Sequence, residues 1–140
     1  MGGINFGRAI LGGLVAGVVL NIGETLLNAV ILKNQMADYL TEHKFPQIQG
    51  SGIGIAMAMT FVLGVVMIVG YAAIRSRFRP GPKTAVIAAL FAWFGAVVYP
   101  NVIGAGFGFI PTNVLLLLLG WEVVEYIIAA IVGAWLYKEA

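Results

Sequence analysis

Glu24, Glu122 and Glu125 are half of the six acidic residues in this 140-residue chain, and each lies in a long apolar run that contains no Lys or Arg. A carboxylate at the centre of a membrane helix costs roughly 2.5–3.5 kcal/mol on insertion scales, so such groups face a bundle interior, a cavity or a partner. Carboxyls gathered at one depth can exchange protons, hold an ion or organic cation, or act as interhelical hydrogen-bond glue worth about 0.6 kcal/mol per bond. An interface with another membrane subunit is the remaining use.

The runs that must position these acids account for most of the chain. Hydrophobic residues make up 61% of it and charged residues 10%, with a mean hydropathy of +0.98; water-soluble domains carry about 25% charge. The sequence therefore predicts an all-α polytopic membrane protein, one domain over residues 1–140. Its four transmembrane helices are placed at about 9–32, 52–74, 84–103 and 114–137. At about 1.5 Å per residue each run covers the roughly 30 Å hydrocarbon core, where a helix is what satisfies the backbone of a single segment. The first run reads as a permanent helix rather than a signal peptide, because it is long, polar in its second half and lacks a small-residue cleavage site before Lys33.

Basic residues set the orientation. Arg8, Arg75, Arg77, Arg79, Lys83 and Lys138 fall on one side, and Lys33 and Lys44 on the other. The bias places both termini in the cytoplasm, in keeping with a bacterial inner-membrane protein, and argues against dual topology. In the turn RSRFRPGPK (75–83), Pro80, Gly81 and Pro82 end one helix and start the next. Its Arg75, Arg77, Arg79 and Lys83 can attract anionic headgroups at about 1 kcal/mol each, or serve only as a topology signal.

On the first helix Gly13, Gly17, Asn21, Glu24 and Asn28 are spaced 4, 4, 3 and 4, which makes one stripe with a GxxxG pair below and a polar ladder above. On the fourth, Glu122, Glu125, Ala129 and Gly133 repeat the pattern in the opposite direction. Counting 15 residues from Ala9 and from Tyr137 reaches Glu24 and Glu122, both about 22 Å from that boundary. The same count reaches Tyr99 on the third helix and Met59, beside Thr60, on the second. A polar layer of Asn21, Glu24, Asn28, Thr60, Tyr99, Asn101, Glu122 and Glu125 is predicted in the outer half. Its ligand- or ion-binding candidates are Glu24, Glu122, Glu125, Tyr99, Asn21 and Asn28. Pro100 predicts a kink or fraying beside Tyr99.

Two ionised glutamates would cost the fourth helix roughly 5–7 kcal/mol, against about 4–8 returned by its Val, Leu and Ile residues. At least one acid is therefore expected to be neutral and hydrogen-bonded to Asn or Tyr, or compensated by a bound cation.

Outside the runs, residues 33–51 carry Met36, Tyr39, Leu40 and His43 at helical spacing, which predicts a short amphipathic helix lying on the membrane. His43 with Glu42 is a minor metal-ligand candidate. The uncharged loop GAGFGFIPTN (104–113) is read as folding back into the interface, sealing a cavity mouth or simply connecting two helices. Met57, Met59, Met67 and Phe61 read as packing or lipid-facing residues; Trp93 and Trp121 border the predicted cavity, and Trp135, Tyr126 and Tyr137 suit interfacial anchoring. Cysteine is absent, which excludes disulfides and thiolate chemistry. No phosphate loop, nucleophile elbow or HExxH is present. No cofactor, metal site or catalytic residue is predicted, and a net charge of +2 is too small to argue nucleic-acid binding.

The segments NFGRAILGGLVAG, RFRPGPKTAVIA and GAWLYK resemble a family of small four-helix bacterial membrane proteins of uncharacterised activity. The architecture, with GETLLN around Glu24, is also similar to small multidrug transporters, in which the first helix carries an essential glutamate; Glu122 and Glu125 have no counterpart in that pattern. The first reading is a non-enzymatic accessory or homo-oligomeric subunit whose acidic layer stabilises assembly or binds a small ligand. The alternative is a proton- or cation-coupled transporter in which Glu24 and Glu122 exchange protons for substrate. Membrane enzymology is a distant third.

Overall fold

Four helices long and apolar enough to cross a membrane are found among the described residues of the computed structural model, residues 3–138. They run Phe6–Ile31, Gly50–Phe78, Pro82–Gly106 and Thr112–Leu136. The second and third exceed their predicted limits most, at the basic turn and in the outer connection. The first comprises α1 (Phe6–Leu26) and a wider π turn over Leu27–Ile31. A separate helix α2 (Lys33–Glu42) follows, as its residue spacing predicts. The second span is α3 (Gly50–Phe78); the third is α4 (Pro82–Trp93), a π turn over Phe94–Val98 and α5 (Tyr99–Gly106); the fourth is α6 (Thr112–Leu136).

The kink predicted near Pro100 has a definite form. Pro100 has no N–H to offer the carbonyl four residues back, and its ring crowds that carbonyl. The chain widens into the π turn just before it, where the Tyr99 amide bonds Phe94 O.

α1 packs against α3 on one side and α6 on the other, and α4 packs against the same two helices. Small residues bring these axes together. A methyl group on Gly13 would stand 2.3 Å from Val65 Cα, one on Gly64 2.4 Å from Gly13 O, and one on Gly12 2.4 Å from Gly133 O. Dispersion and close backbone approach hold membrane helices together where lipid removes the hydrophobic contrast. Ala9, Ala16, Ala85, Ala89, Ala129 and Ala130 continue this close-packed inner core.

The inner end is fastened by aromatics. Tyr71 and Tyr137 meet edge to face with centroids 6.1 Å apart, and the Arg75 guanidinium lies 5.1 Å from the Tyr137 ring centre and 5.9 Å from that of Tyr71. The Tyr137 hydroxyl accepts from the Asn5 amide at 3.1 Å, and that of Tyr71 from the Gly81 amide at 3.2 Å. Of the four basic residues in this turn, Arg75 is drawn inward while Arg77, Arg79 and Lys83 are exposed.

At the outer end Leu27, Leu32 and Val114 form a second cluster with Met36 of α2. The Tyr39 hydroxyl donates to the Gly108 carbonyl, and Phe45 meets Phe109 at 6.3 Å. The loop 104–113 is thereby folded against α2.

Candidate functional site

Glu122 and Glu125 lie one helical turn apart on the face of α6 that also carries Ala129 and Gly133, and each is only 6% exposed. Small residues at 129 and 133 draw this face onto α1, which takes both acids out of lipid. Glu24 approaches from α1, half-buried, and is an electrostatic neighbour of both. The three acids singled out by the sequence therefore form one cluster. Glu125 stands near the middle of its helix, 13 residues from Thr112 and 11 from Leu136.

Gly23 makes the contact possible. A methyl group there would lie 2.6 Å from Cγ, Cδ and Oε2 of Glu125, so the carboxyl rests in the space the missing side chain leaves. The neighbouring Trp121 indole N–H is committed to the Gly23 carbonyl at 3.1 Å. Both oxygens of Glu125 are buried and have no hydrogen-bond donor. Two carboxylates cannot bond each other without a proton, so nearness to Glu24 satisfies Glu125 only if one of the pair is protonated. Gly23 was not among the residues selected from the sequence; its place beside Glu24 was the available signal.

Glu24 has a donor. Asn28 Nδ2 donates to the Glu24 carbonyl at 2.9 Å and to Oε2 at 3.1 Å, just where α1 opens into the first π turn. Such turns recur at functional sites.

The other expected members of the layer have different partners. Asn21 is buried, and its Nδ2 donates to Gly17 O at 3.0 Å and to Met57 O of α3 at 3.3 Å, a bond between helices rather than to an acid. Thr60 donates to Ala56 O and Asn101 to Val97 O, each within its own helix. Tyr99 stands outside the cluster, 61% exposed. The depth count says nothing of its direction around the helix, which the π turn at Phe94–Val98 resets. Gly13 and Gly17 of the α1 stripe abut Val65 and Phe61 of α3, whereas Gly12 and Gly23, which lie outside the stripe, face α6.

Two hollows border members of the cluster. Between α1 and α6 an apolar groove of about 610 Å³ is walled by Ile22, Gly23, Leu117, Trp121 and Val124, with Glu125 along it. Between α1 and the outer half of α3 a crevice of about 390 Å³ has mostly apolar walls, Ile48, Ile53 and Met57 among them, with Asn21, Glu24 and Asn28 on one side. Glu24 borders the crevice and Glu125 the groove. Trp121 borders the groove, as its sequence position suggested, while Trp93 donates to Leu119 O at 3.2 Å and ties the third span to α6.

Charge balance at the cluster has to come from protons or an added cation. α6 contains no Lys or Arg, and the basic residue of α1, Arg8, precedes Glu24 by 16 residues, about 24 Å along the helix. No group of three His, Asp or Glu side chains among the described residues is arranged to hold a metal ion. His43 stacks on Tyr39 with centroids 4.1 Å apart, and its Nδ1 lies 3.0 Å from Tyr39 O. Comparison of the chain with protein-family models, curated proteins and solved structures finds no match.

Proposed function

We propose that this chain is a non-enzymatic integral membrane protein whose three-carboxyl cluster exchanges protons for a small cation, with both termini on the cytoplasmic side of a bacterial inner membrane. The observation that supports it is the convergence of Glu24, Glu122 and Glu125 from two spans at one buried place with no basic residue beside them. Glue alone does not call for that. A single neutral acid bonded to an amide would fasten two helices, whereas a third acid adds desolvation cost and like charge. Such a cluster is a proton store whose occupancy an incoming cation can displace.

Roles follow from position. Glu24, bonded by Asn28, borders the crevice between α1 and α3 and is the acid nearest an opening; Glu125 and Glu122, behind it, carry the charge that a cation would neutralise. Coupled transport is the natural consequence if the two hollows open alternately. The six basic residues on the inner side set the orientation, with Arg77, Arg79 and Lys83 free to meet anionic headgroups.

The test is an infrared titration of the full-length protein in lipid nanodiscs. A protonated-carboxyl band that grows reversibly on acidification, and weakens in Glu24→Gln, Glu122→Gln and Glu125→Gln, is the expected result. A carboxyl signal that stays constant from mildly acid to mildly alkaline solution would defeat the reading.

An assembly subunit is the second reading. The residues of α3 from Gly50 to Met59 are all exposed, leaving the outer half of that helix without cover from the rest of the chain. A second copy or a larger membrane complex would supply it. Native mass spectrometry from a mild detergent gives the stoichiometry directly, and a strictly monomeric protein argues against this reading.

A further inference from the structure

We infer that Asn28 couples the charge on Glu24 to the shape of the π turn that follows it, and through that turn to the outer cap formed by α2 and the loop 104–113. The inference rests on the exchange reading above, because Glu24 must gain and lose a proton, and it adds the mechanical consequence of that exchange.

One side-chain amide holds both ends of the coupling. Asn28 Nδ2 donates to the Glu24 backbone carbonyl at 2.9 Å and to the Glu24 carboxyl at 3.1 Å. In a regular helix that carbonyl belongs to the backbone N–H of residue 28, so the Asn28 side chain competes with its own main chain for it. The helix widens at this point: the Leu32 amide closes the turn on Leu27 O at 2.8 Å, five residues back. No proline forces this widening, unlike the one before Pro100. A hydrogen bond to a carboxylate is about twice as strong as one to a neutral acid, so protonation of Glu24 loosens the amide and lets the turn tighten. Tightening shifts the point where the chain leaves α1 by one residue, or about 100° around the axis.

The segment beyond is held lightly enough to follow. Only Leu27 is buried in the π turn, Val30 is 69% exposed, and no residue of α2 is buried. Few buried contacts mark an element of low local stability. The cluster of Leu27, Leu32, Val114 and Met36 fastens α2 to the bundle, and the Tyr39–Gly108 bond with the Phe45–Phe109 contact makes α2 and the loop 104–113 one unit. Glu122 and Glu125, with Tyr126 beside them, face Glu24 from α6. Residues 50–60 of α3, across the crevice, contain no titratable group, and Lys33 at the start of α2 is exposed and nine residues beyond Glu24. Among the described residues Glu24 is the one titratable group to which Asn28 is hydrogen-bonded.

The experiment measures spin-label distances in the full-length protein in lipid nanodiscs, using cysteines introduced into a chain that has none of its own. Gln35→Cys on α2 with Lys83→Cys at the inner turn reports the cap; Gly54→Cys with Lys83→Cys, both off the cap, is the reference pair. Between alkaline and acid solution the first pair should show two distances whose ratio changes about fivefold, the difference between a charged and a neutral hydrogen bond, while the reference pair stays fixed. Asn28→Ala should remove this dependence on acidity. Glu24→Gln, which keeps an acceptor for Asn28 and carries the test if Asn28→Ala fails to fold, should hold the first pair at its acid distribution throughout. A cap distance indifferent to acidity while the infrared band titrates, a dependence that survives Asn28→Ala, or a Glu24→Gln distribution matching the alkaline one would overturn the inference and leave the exchange reading standing. A carboxyl band that never titrates defeats the exchange reading itself, and this inference with it.

Discussion

The inner and outer halves of α1 are built on opposite principles although they belong to one helix. From Gly12 to Gly17 the helix is pressed on both sides, with missing side chains replaced by backbone of α3 and α6 at distances no Cβ tolerates. From Asn21 to Asn28 the same helix carries amides and an acid, opens into a π turn and borders two hollows. Rigidity is concentrated where no chemistry is available, and chemistry where packing is loosest. The difference teaches that the glycine seam holds the acids in register, since it fixes the spacing of α1 from α3 and α6 about two to three turns below them.

Closing the seam should give the largest effect. Gly13→Leu puts a branched side chain where even a methyl group would lie 2.3 Å from Val65 Cα, so α1 and α3 must separate. Overpacking of this sort costs about 3 kcal/mol. Thermal unfolding in a mild detergent should show a large loss, or no folded protein at all. Gly70→Ala on α3 is the control: nothing lies within 4 Å of a methyl group there, and the change should be neutral or slightly stabilising.

The second effect has the opposite sign. Glu125→Gln replaces an acid without donors by an amide that can donate to Glu24, so it should raise the unfolding free energy by about 1–3 kcal/mol while removing cation binding. A stability gain coupled to a loss of function is the signature of a residue kept for its chemistry. If Glu125→Gln instead destabilises the protein, the acid belongs with the glue and the contrast between the two halves weakens.

These outcomes also show what the chain discloses before folding. The four spans were legible because continuous hydropathy over 20 or more residues leaves a helix as the sole economical structure. That Glu24, Glu122 and Glu125 share a region was legible from the stripe each belongs to and from an equal residue count to one boundary, since a constant rise per residue places equal counts at equal heights. Direction around the helix was not. Tyr99 lies outside, because a π turn inserted before Pro100 shifts every later residue around the axis. Asn21 was read as part of the acid site and instead bonds a carbonyl of α3, a choice set by the side of α1 that Gly17 brings close. Gly23 escaped notice because a glycine reports nothing until its neighbour is known.

Gly23→Ala tests that neighbour with a smaller perturbation than the seam variants. The added methyl group meets the end of a side chain rather than backbone, so Glu125 can swing away at a cost of about 1 kcal/mol. Stability should fall modestly, and the infrared band of the cluster should shift, because the displaced carboxyl leaves its place against Glu24. An unshifted band would mean that Gly23 shapes the backbone without positioning the acid.

Asn21→Ala is the smallest effect and the finest probe of the boundary between the halves. It removes one bond to Met57 O at 3.3 Å, and side-chain bonds between membrane helices average about 0.6 kcal/mol because the separated helix finds other partners for the same group. The intrahelical bond to Gly17 O is lost too, but that carbonyl lies in the regular part of α1 and has the backbone ladder to serve it. Stability should therefore change by less than about 1 kcal/mol, with the carboxyl titration untouched, because Asn21 has no hydrogen bond to any of the three acids. If the titration moves with Asn21, the crevice and the cluster are one polar system, and the line between structure and chemistry on α1 falls a turn closer to the glycine seam.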